Sequence, residues 1–252
     1  MGRTMAEGEL FSTIEVSHVA EIEEAAFATW PAGEVAELGG WRLRASDGVT
    51  HRANSVWNVR FGGAAAIDAR LLAVEEFYAM RGLPPCFQMT VASQPQNLDI
   101  RLADRGYRLH SPTLVQLASL ETILQSTPAL RTMPYLEVEL VEEFEEEWFD
   151  LYEAIEQEHP SRAPGRAAIM DRIAEPRAFA RATVDGVPAA VGLGVVQGAY
   201  LGISCMATAP QFRRRGAASG ILRAMAIWAE MNRAHRAFLQ VVAGNHAGLA
   251  LY

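Results

Sequence analysis

The most regular hydrophobic pattern lies in the second half of the chain. Apolar residues form three strand-like runs, at 178–184, 188–196 and 199–208. The runs are separated by Asp185-Gly186 and by Gln197-Gly198, dipeptides that favour tight hairpin turns. The pattern therefore predicts an antiparallel three-stranded meander.

Helical spacing appears on both sides of this meander. Apolar positions recur every three to four residues from about 217 to 233, and the aromatic and glutamate-rich segment 142–159 has the same spacing. A last apolar run at 237–243 reads as a buried strand. Strand, loop, helix and strand then form a βαβ unit, whose crossover is expected to be right-handed.

The chain also resembles itself at an offset of 151 residues. This offset places 67–81 on the helix at 218–232, with Leu71 on Leu222 and Phe77 on Trp228, and it places 91–100 on 242–251. One offset that aligns a strand and two helices predicts a duplicated fold. The proline-containing segment 120–135 predicts a linker, so we expect an N-terminal half at 1–125 and a C-terminal half at 126–252.

The two predicted copies differ at two places. The loop at 213–218 is rich in arginine, whereas its counterpart at 62–67 has no basic residue, so the first copy is expected to be degenerate. The first copy continues through a glycine turn and a strand-like run up to residue 119, whereas the second stops at Tyr252. We therefore expect the second half to lack its last strand, which leaves a sheet edge for a partner chain and makes a homodimer one expectation.

Composition narrows the function classes. Half of the 252 residues are hydrophobic and the net charge is −8, which argues against general binding to nucleic acid or to anionic membranes. Cys86 and Cys205 are far apart and form no CxxC motif, so neither a disulfide framework nor a metal site is expected. No apolar stretch approaches the ~20 residues of a membrane span. The expected location is the cytoplasm.

Against this acidic background, the loop before the helix at 217–233 is strongly basic. It contains Arg213, Arg214, Arg215, Gly216, Ala217 and Ala218. A helix N-terminus presents unpaired N–H groups and a partial positive charge, glycine lets an anion approach the backbone, and arginines add charge-assisted hydrogen bonds. The loop predicts a site for a pyrophosphate or a similar polyanion. The alternative is a set of surface arginines beside an ordinary turn glycine.

The spacing R-x-x-G-x-A, carried by Arg213, Gly216 and Ala218 after the strand ending in "MATAP", resembles the acetyl-CoA signature of the Gcn5-related N-acetyltransferases. "NHAGLALY" resembles the motif that follows in that family, and "DRGY" at 104–107 resembles its continuation. The first half, especially 39–56, is similar to a bacterial group with two acetyltransferase-like halves. The resemblance implies an α/β (α+β) fold of tandem acyl-CoA N-acyltransferase-like halves, each a mixed, mostly antiparallel sheet flanked by helices.

The resemblance also implies roles for individual residues. Met206, Ala207 and Thr208 would bind the pantetheine arm and acyl group of acetyl-CoA, Asn245 would contact it, and Tyr252 would protonate the leaving thiolate. The implied reaction is direct attack of a primary amine, from a small molecule or a peptide, on the thioester. The alternative is a non-catalytic CoA-binding or regulatory protein with a decayed site.

Other catalytic candidates are weaker. Glu156, Glu158 and His159 lie at a predicted helix end that borders the acceptor site in the family, but polar residues there are usually solvated. Cys205 is adjacent to the implied acyl position; a ping-pong mechanism is conceivable, whereas a strand cysteine is more often a small core residue. Segment 39–56 either lines a substrate site or is a strand pair with polar turns.

Overall fold

The computed structural model describes residues 15–63, 65–157 and 159–252. The strands are β1 (Glu34–Leu38), β2 (Trp41–Ala45), β3 (Val56–Trp57), β4 (Phe87–Gln88), β5 (Thr113–Ser119), β6 (Leu136–Val141), β7 (Arg177–Val184), β8 (Val187–Gln197), β9 (Tyr200–Thr208) and β10 (Arg236–Val242). The α-helices are α1 (Val16–Ala28), α2 (Ile67–Ala79), α3 (Leu98–Asp104), α4 (Leu120–Ser126), α5 (Glu146–Glu156), α6 (Ala163–Asp171), α7 (Ala217–Met231) and α8 (His246–Leu251).

The larger sheet has six strands in the order β5-β10-β9-β8-β7-β6. The predicted meander is confirmed: β7, β8 and β9 pair antiparallel in sequence. Asp185 and Gly186 both have positive φ, 53° and 77°, the geometry of a type I′ hairpin turn. The predicted βαβ unit is also confirmed, because β10 pairs parallel to β9 after α7.

Apolar packing joins this sheet to its helices on both faces. On one face α7 buries Ile221, Met225 and Ala229 against the strands. Gly192 of β8 allows this close approach, because a Cβ atom there would lie 2.9 Å from Cγ2 of Ile221. On the other face α5 and α6 pack through a second cluster, in which the Trp148 side chain donates a 2.8 Å hydrogen bond to the carbonyl of Ala180.

The smaller sheet has four strands in the order β1-β2-β3-β4. Its β3-α2-β4 unit repeats β9-α7-β10, since β3 and β4 are also parallel. The predicted duplication is thus confirmed as two α/β halves, and α2 and α7 coincide under the 151-residue offset. The second pair of helices does not coincide, because α3 begins three residues later than the offset places it.

β5 comes from the first half of the sequence but belongs to the larger sheet. It pairs antiparallel with the whole of β10, from Arg236 opposite Ser119 to Val242 opposite Thr113. The expectation of an uncovered edge for a partner chain was therefore wrong, because β5 occupies that edge. A homodimer stays a prediction, and so does the boundary at residue 125, which the hydrogen-bonded sheet crosses.

Two local predictions need correction. Segment 120–135 is more than a linker, because it contains α4, whose Leu120 is buried. The carbonyls of Leu124 in α4 and of its C-cap residue Thr127 accept hydrogen bonds from Arg223 of α7. The helix predicted at 142–159 is shorter at both ends, because α5 begins only at Glu146 and ends before Gln157, which has a left-handed φ of 53°. Pro160 also disfavours helix at His159.

Membrane crossing was checked against the helices of the described ranges. None of them is both long enough and apolar enough to traverse a bilayer.

Candidate active site

The two central parallel strands of the larger sheet separate near their midpoints. β9 and β10 pair only as far as Ile203 and Leu239, although β9 continues to Thr208 and β10 to Val242. β10 stays paired with β5 throughout, so the gap opens on its β9 side. A gap between parallel strands exposes backbone groups that an ordinary ladder would occupy.

A bulge in β9 accompanies the gap. The pairing with β8 moves from Ser204 opposite Leu193 to Ala207 opposite Val191, so two residues of β9 oppose a single residue of β8. Cys205 lies in this bulge with a left-handed φ of 52°. β-bulges re-aim side chains and are frequent beside active sites. Cys205 consequently packs on the α5 side of the sheet, and Met206 packs on the α7 side.

A cavity of about 210 Å³ fills the gap. It is bordered by β9, β10, the segment after β10, α5 and one side chain of the N-terminal half: Arg52, Tyr152, Glu156, Ile203, Ser204, Cys205, Met206, Leu239, Gln240, Val241, Val242, Asn245 and Tyr252. The predicted residues Met206, Asn245 and Tyr252 are thus brought together at one cavity. Ala207 is buried in the core beside it, and Thr208 ends the strand.

The basic loop lies at the end of β9, where α7 begins. Gly216 is the N-cap residue of α7, with φ 83°, and no side chain caps the helix. A Cβ atom at residue 216 would come within 2.9 Å of the Met133 sulfur, so this position requires glycine for both its backbone and its space. The first N–H groups of α7 therefore remain available to an anion.

The three arginines of the loop differ in what they contact. Arg213 donates a 3.4 Å hydrogen bond to the carbonyl of Thr208, and Arg215 forms a 2.7 Å ion pair with Asp185. Arg214 has a left-handed φ of 63° and an exposed side chain, with no ion pair to any residue in the described ranges. Arg214 is the arginine best placed to bind an incoming anion without breaking a protein contact.

Asn245 and Tyr252 bracket α8. Asn245 is the N-cap residue, and its side-chain oxygen accepts a 2.9 Å hydrogen bond from the Gly248 N–H. Tyr252 follows the helix, and its N–H donates to the carbonyl of Gly248. Tyr252 is 38% exposed, but desolvation of the part that is buried, and to a smaller extent the Glu156 carboxylate, raises its pKa to about 12. The phenol is therefore protonated at neutral pH, as a proton donor must be.

Cys205 has the properties of a neutral thiol. Burial raises its pKa to about 11, although the positive charge of Arg52 acts in the opposite direction. Because the thiolate is the nucleophilic form, this environment does not favour an acyl-cysteine mechanism. Cys86 and Cys205 are both free cysteines.

The three acid–base candidates have different positions. Glu156 lines the cavity. The His159 ring instead hydrogen-bonds the Ser161 hydroxyl at 2.8 Å, on an exposed turn away from the cavity lining. Glu158 lies outside the described residues. Within the described ranges, no group of His, Cys, Asp and Glu is arranged to hold a metal ion.

Comparison with known sequences agrees with this geometry. The model of the family described as "Probable histone acetyltransferase Rv0428c C-terminal" matches residues 16–252. The chain belongs to this acetyltransferase family. A curated relative from Bacillus subtilis (strain 168), described as "Uncharacterized N-acetyltransferase YobR", is 34% identical over 234 residues, which cover 93% of this chain and 92% of the relative. The protein is an acyltransferase of the Gcn5-related type, as its loop motif predicted.

Solved structures show that the acetyltransferase fold extends over both halves. A Gcn5-related N-acetyltransferase from Kribbella flavida matches with a TM-score of 0.66 at 16% identity, covering 88% of this chain and 84% of that protein. A conserved protein of unknown function from Staphylococcus epidermidis ATCC 12228 matches with a TM-score of 0.59 at 11% identity, covering 90% of each chain. The predicted fold class is confirmed.

Two features of this acetyltransferase were missed in the sequence. Arg52 lies within segment 39–56, which we had left open between a substrate site and a strand pair; the segment forms strands and also sends Arg52 into the cavity. Tyr152 lies on the apolar face of α5 and lines the cavity as well as packing against the core. Neither residue has a local sequence signal, because their meeting depends on how the halves pack.

Proposed function

We propose that this protein transfers the acetyl group of acetyl-CoA to a primary amine by direct attack. The observation that carries the proposal is that one strand, β9, connects the cavity with the basic loop before α7. β9 borders the open cavity in its second half and leads directly into the uncapped, arginine-rich N-terminus of α7. A long molecule with a phosphate group at one end and a reactive group at the other matches this arrangement.

The residues at the loop suit the phosphate end. Gly216 precedes the first N–H groups of α7, which no side chain caps, and Arg214 has an exposed side chain that supplies a guanidinium. Backbone N–H groups at a helix start and an arginine together form a typical pyrophosphate site. Arg213 and Arg215 shape the loop through Thr208 and Asp185 and add to its positive potential.

The residues of the cavity suit the reactive end. Acetyl-CoA supplies an activated acetyl thioester. Backbone N–H groups in the segment Met206 to Thr208 would polarise the acetyl carbonyl. Asn245 would hold the start of α8 beside the cavity, because its side-chain oxygen accepts a hydrogen bond from the Gly248 N–H. The amine nitrogen bonds to the acetyl carbon, the carbon–sulfur bond breaks, and the Tyr252 hydroxyl donates its proton to the departing sulfur.

The acceptor amine must be neutral when it attacks. Glu156 lines the cavity, and its carboxylate would accept the proton of the acceptor ammonium group, directly or through water. The family description names histones, so a histone peptide is one acceptor to compare with small amines. The cytoplasmic location stays a prediction.

The test is a calorimetric titration of the whole chain with acetyl-CoA. We expect one site per chain, and we expect binding to be lost in the double variant Arg214→Ala, Gly216→Glu. The control is Gly63→Glu, because Gly63 lies in the loop before α2, four residues before its first residue, and also has a positive φ, 86°. It should bind acetyl-CoA like the unmodified protein.

Three outcomes would change the interpretation. Two sites per chain would mean that the N-terminal half also binds acetyl-CoA. Equal loss in Gly63→Glu would attribute the effect to backbone strain. Binding without acetylation of any amine would favour the non-catalytic CoA-binding or regulatory protein.

A further inference from the structure

Arg52 is an arginine that the N-terminal half contributes to the cavity of the C-terminal half. Its side chain is half-buried and lines the gap together with Tyr152 and Cys205. The guanidinium lies 5.1 Å from the centroid of the Trp30 ring. It has no hydrogen bond or ion pair with any residue that the structure describes, and its side chain lines the cavity.

The turn that presents Arg52 is held rigidly. The Asn54 side chain is buried and makes four hydrogen bonds: it donates to the carbonyls of Ser46 and Thr50, and it accepts from the N–H groups of Ser46 and Gly48. The Trp30 indole donates to the Thr50 hydroxyl at 3.1 Å. A side chain placed by such a network is already oriented before a ligand arrives.

Removing a guanidinium from water without pairing it is unfavourable. Burial lowers the pKa of Arg52, and Cys205, Tyr152 and, to the smallest extent, Glu23 oppose this shift. Cys205 and Tyr152 are weak acids, and burial raises the pKa of the Glu23 carboxyl to about 7. A ligand with a carboxylate would supply both the missing charge and the missing acceptors. Arginine is the residue that pairs with a carboxylate through two parallel hydrogen bonds.

Glu156 carries the second charged side chain of this cavity, and its charge is negative. Glu156 lines the same cavity as Arg52, at the end of α5. One cationic and one anionic side chain around about 210 Å³ match a small molecule that carries both an ammonium and a carboxylate. The volume is below the range of pockets for drug-sized ligands, so the acceptor is expected to be small.

We propose that Arg52 binds a carboxylate of the acceptor, so that the preferred substrate is a small amine that also carries a carboxylate, such as a free amino acid. This inference rests on the proposed function and specifies its acceptor. Arg52 is here a specificity residue that the otherwise degenerate half supplies. A lysine in the middle of a peptide, which has no carboxylate beside its amine, is expected to be a poorer acceptor.

The test compares pairs of amines that differ only in the carboxylate: histidine and histamine, tyrosine and tyramine, lysine and cadaverine. Release of CoA from acetyl-CoA is measured with the whole chain and with Arg52→Gln, Arg52→Lys and Arg108→Gln. Arg108 is an exposed arginine of the same half and serves as the matched control.

We expect the unmodified protein to have a kcat/KM at least about tenfold higher for the carboxylated member of a pair. Arg52→Gln should raise KM for that member about 10- to 100-fold, and should change KM for the other member less than about threefold. Arg52→Lys should have an intermediate effect, because lysine keeps the charge without the bidentate geometry. Arg108→Gln should change neither value.

The inference is overturned if the amines without a carboxylate are acetylated as well or better, or if Arg52→Gln changes both members of each pair alike. The second result would mark a structural role, and a loss of thermal stability would accompany it. Failure of every amine in a protein that binds acetyl-CoA would also reject this acceptor class. Absence of acetyl-CoA binding would reject the proposed function and the inference with it.

Discussion

The two βαβ units of this protein have the same topology but differ at the place where their parallel strands separate. In the C-terminal half, β9 and β10 separate after Ile203 and Leu239, and a cavity lies between them. In the N-terminal half, β3 and β4 pair through Trp57 and Gln88, and Asn58 follows directly. The buried Asn58 amide donates a 3.0 Å hydrogen bond to the carbonyl of Gln88, and the Asn58 carbonyl accepts from Gln94 N–H. One asparagine thus bridges the place where the other half is open.

The loops before the two helices differ in the same way. Before α7, Arg214 is exposed and the helix start is uncapped. Near the start of α2, Arg70 is buried and folds back, donating hydrogen bonds to the carbonyls of Gly39 and Gly62. Arg70 of the N-terminal half thus closes its loop through two backbone carbonyls, whereas Arg214 of the C-terminal half has no ion pair within the described ranges. On the proposed function, only the C-terminal loop is expected to bind acetyl-CoA.

The largest expected difference between the two halves is the effect of a tyrosine substitution on kcat. Tyr252→Phe should lower kcat about 100-fold with little change in acetyl-CoA affinity, because it removes the proton donor to the thiolate and keeps the ring. Tyr107→Phe is the matched change after α3, where the hydroxyl contacts Glu75 at 3.4 Å. It should leave kcat unchanged. Steady-state kinetics of both variants distinguish these outcomes, and an unaltered kcat in Tyr252→Phe would remove this residue from the mechanism.

The second expected difference between the halves concerns stability. The free energy of unfolding should depend on pH because of a residue in the N-terminal half. Glu23 is buried, and burial raises its pKa to about 7 although Arg44 opposes this shift. The folded state then binds more protons than the unfolded state between pH 4.5 and 7, so stability falls as pH rises through this window. From pH 5 to 8 we expect a loss of about 2 kcal/mol in the free energy of unfolding.

Chemical denaturation at several pH values measures this loss. Glu23→Gln should flatten the dependence over the same window, whereas Glu137→Gln, on an exposed position of β6, should retain it. A dependence that persists in Glu23→Gln would place the titrating group elsewhere.

The smallest expected effect tests the hydrogen bonds by which Asn58 joins the end of β3 to β4 and to the segment after β4. Asn58→Ala should lower the free energy of unfolding by about 1 kcal/mol, because the Gln88 carbonyl loses its side-chain donor. Acetyl-CoA should still bind at one site per chain, since the loop before α2 has no free arginine. Denaturant unfolding and calorimetry of this variant give both values. The appearance of a second site would show that Asn58 alone closes the N-terminal half.

Much of the fold could be predicted because its signals are local. Asp185-Gly186 determines a hairpin through its backbone preferences, and the spacing of Ile221, Met225 and Trp228 determines one helix face. The motif from Arg213 to Ala218 predicted the loop at the start of α7 for the same reason. The end of α5 was placed too late because the polar residues after Ile155 carry no stop signal before Pro160, whereas the backbone already turns left-handed at Gln157.

The sequence by itself determined the duplication, the βαβ unit and the basic loop, since each depends on residues close together in the chain. Only the tertiary structure decided that β5 pairs with β10 across the halves, that β9 bulges at Cys205, and that Arg52 reaches the cavity. The pairing of β5 with β10 and the approach of Arg52 to β9 join segments more than a hundred residues apart, whereas the bulge joins the neighbouring strands β8 and β9. The positions of β5 and Arg52 follow from the packing of one half on the other, and no local periodicity or turn preference encodes that packing.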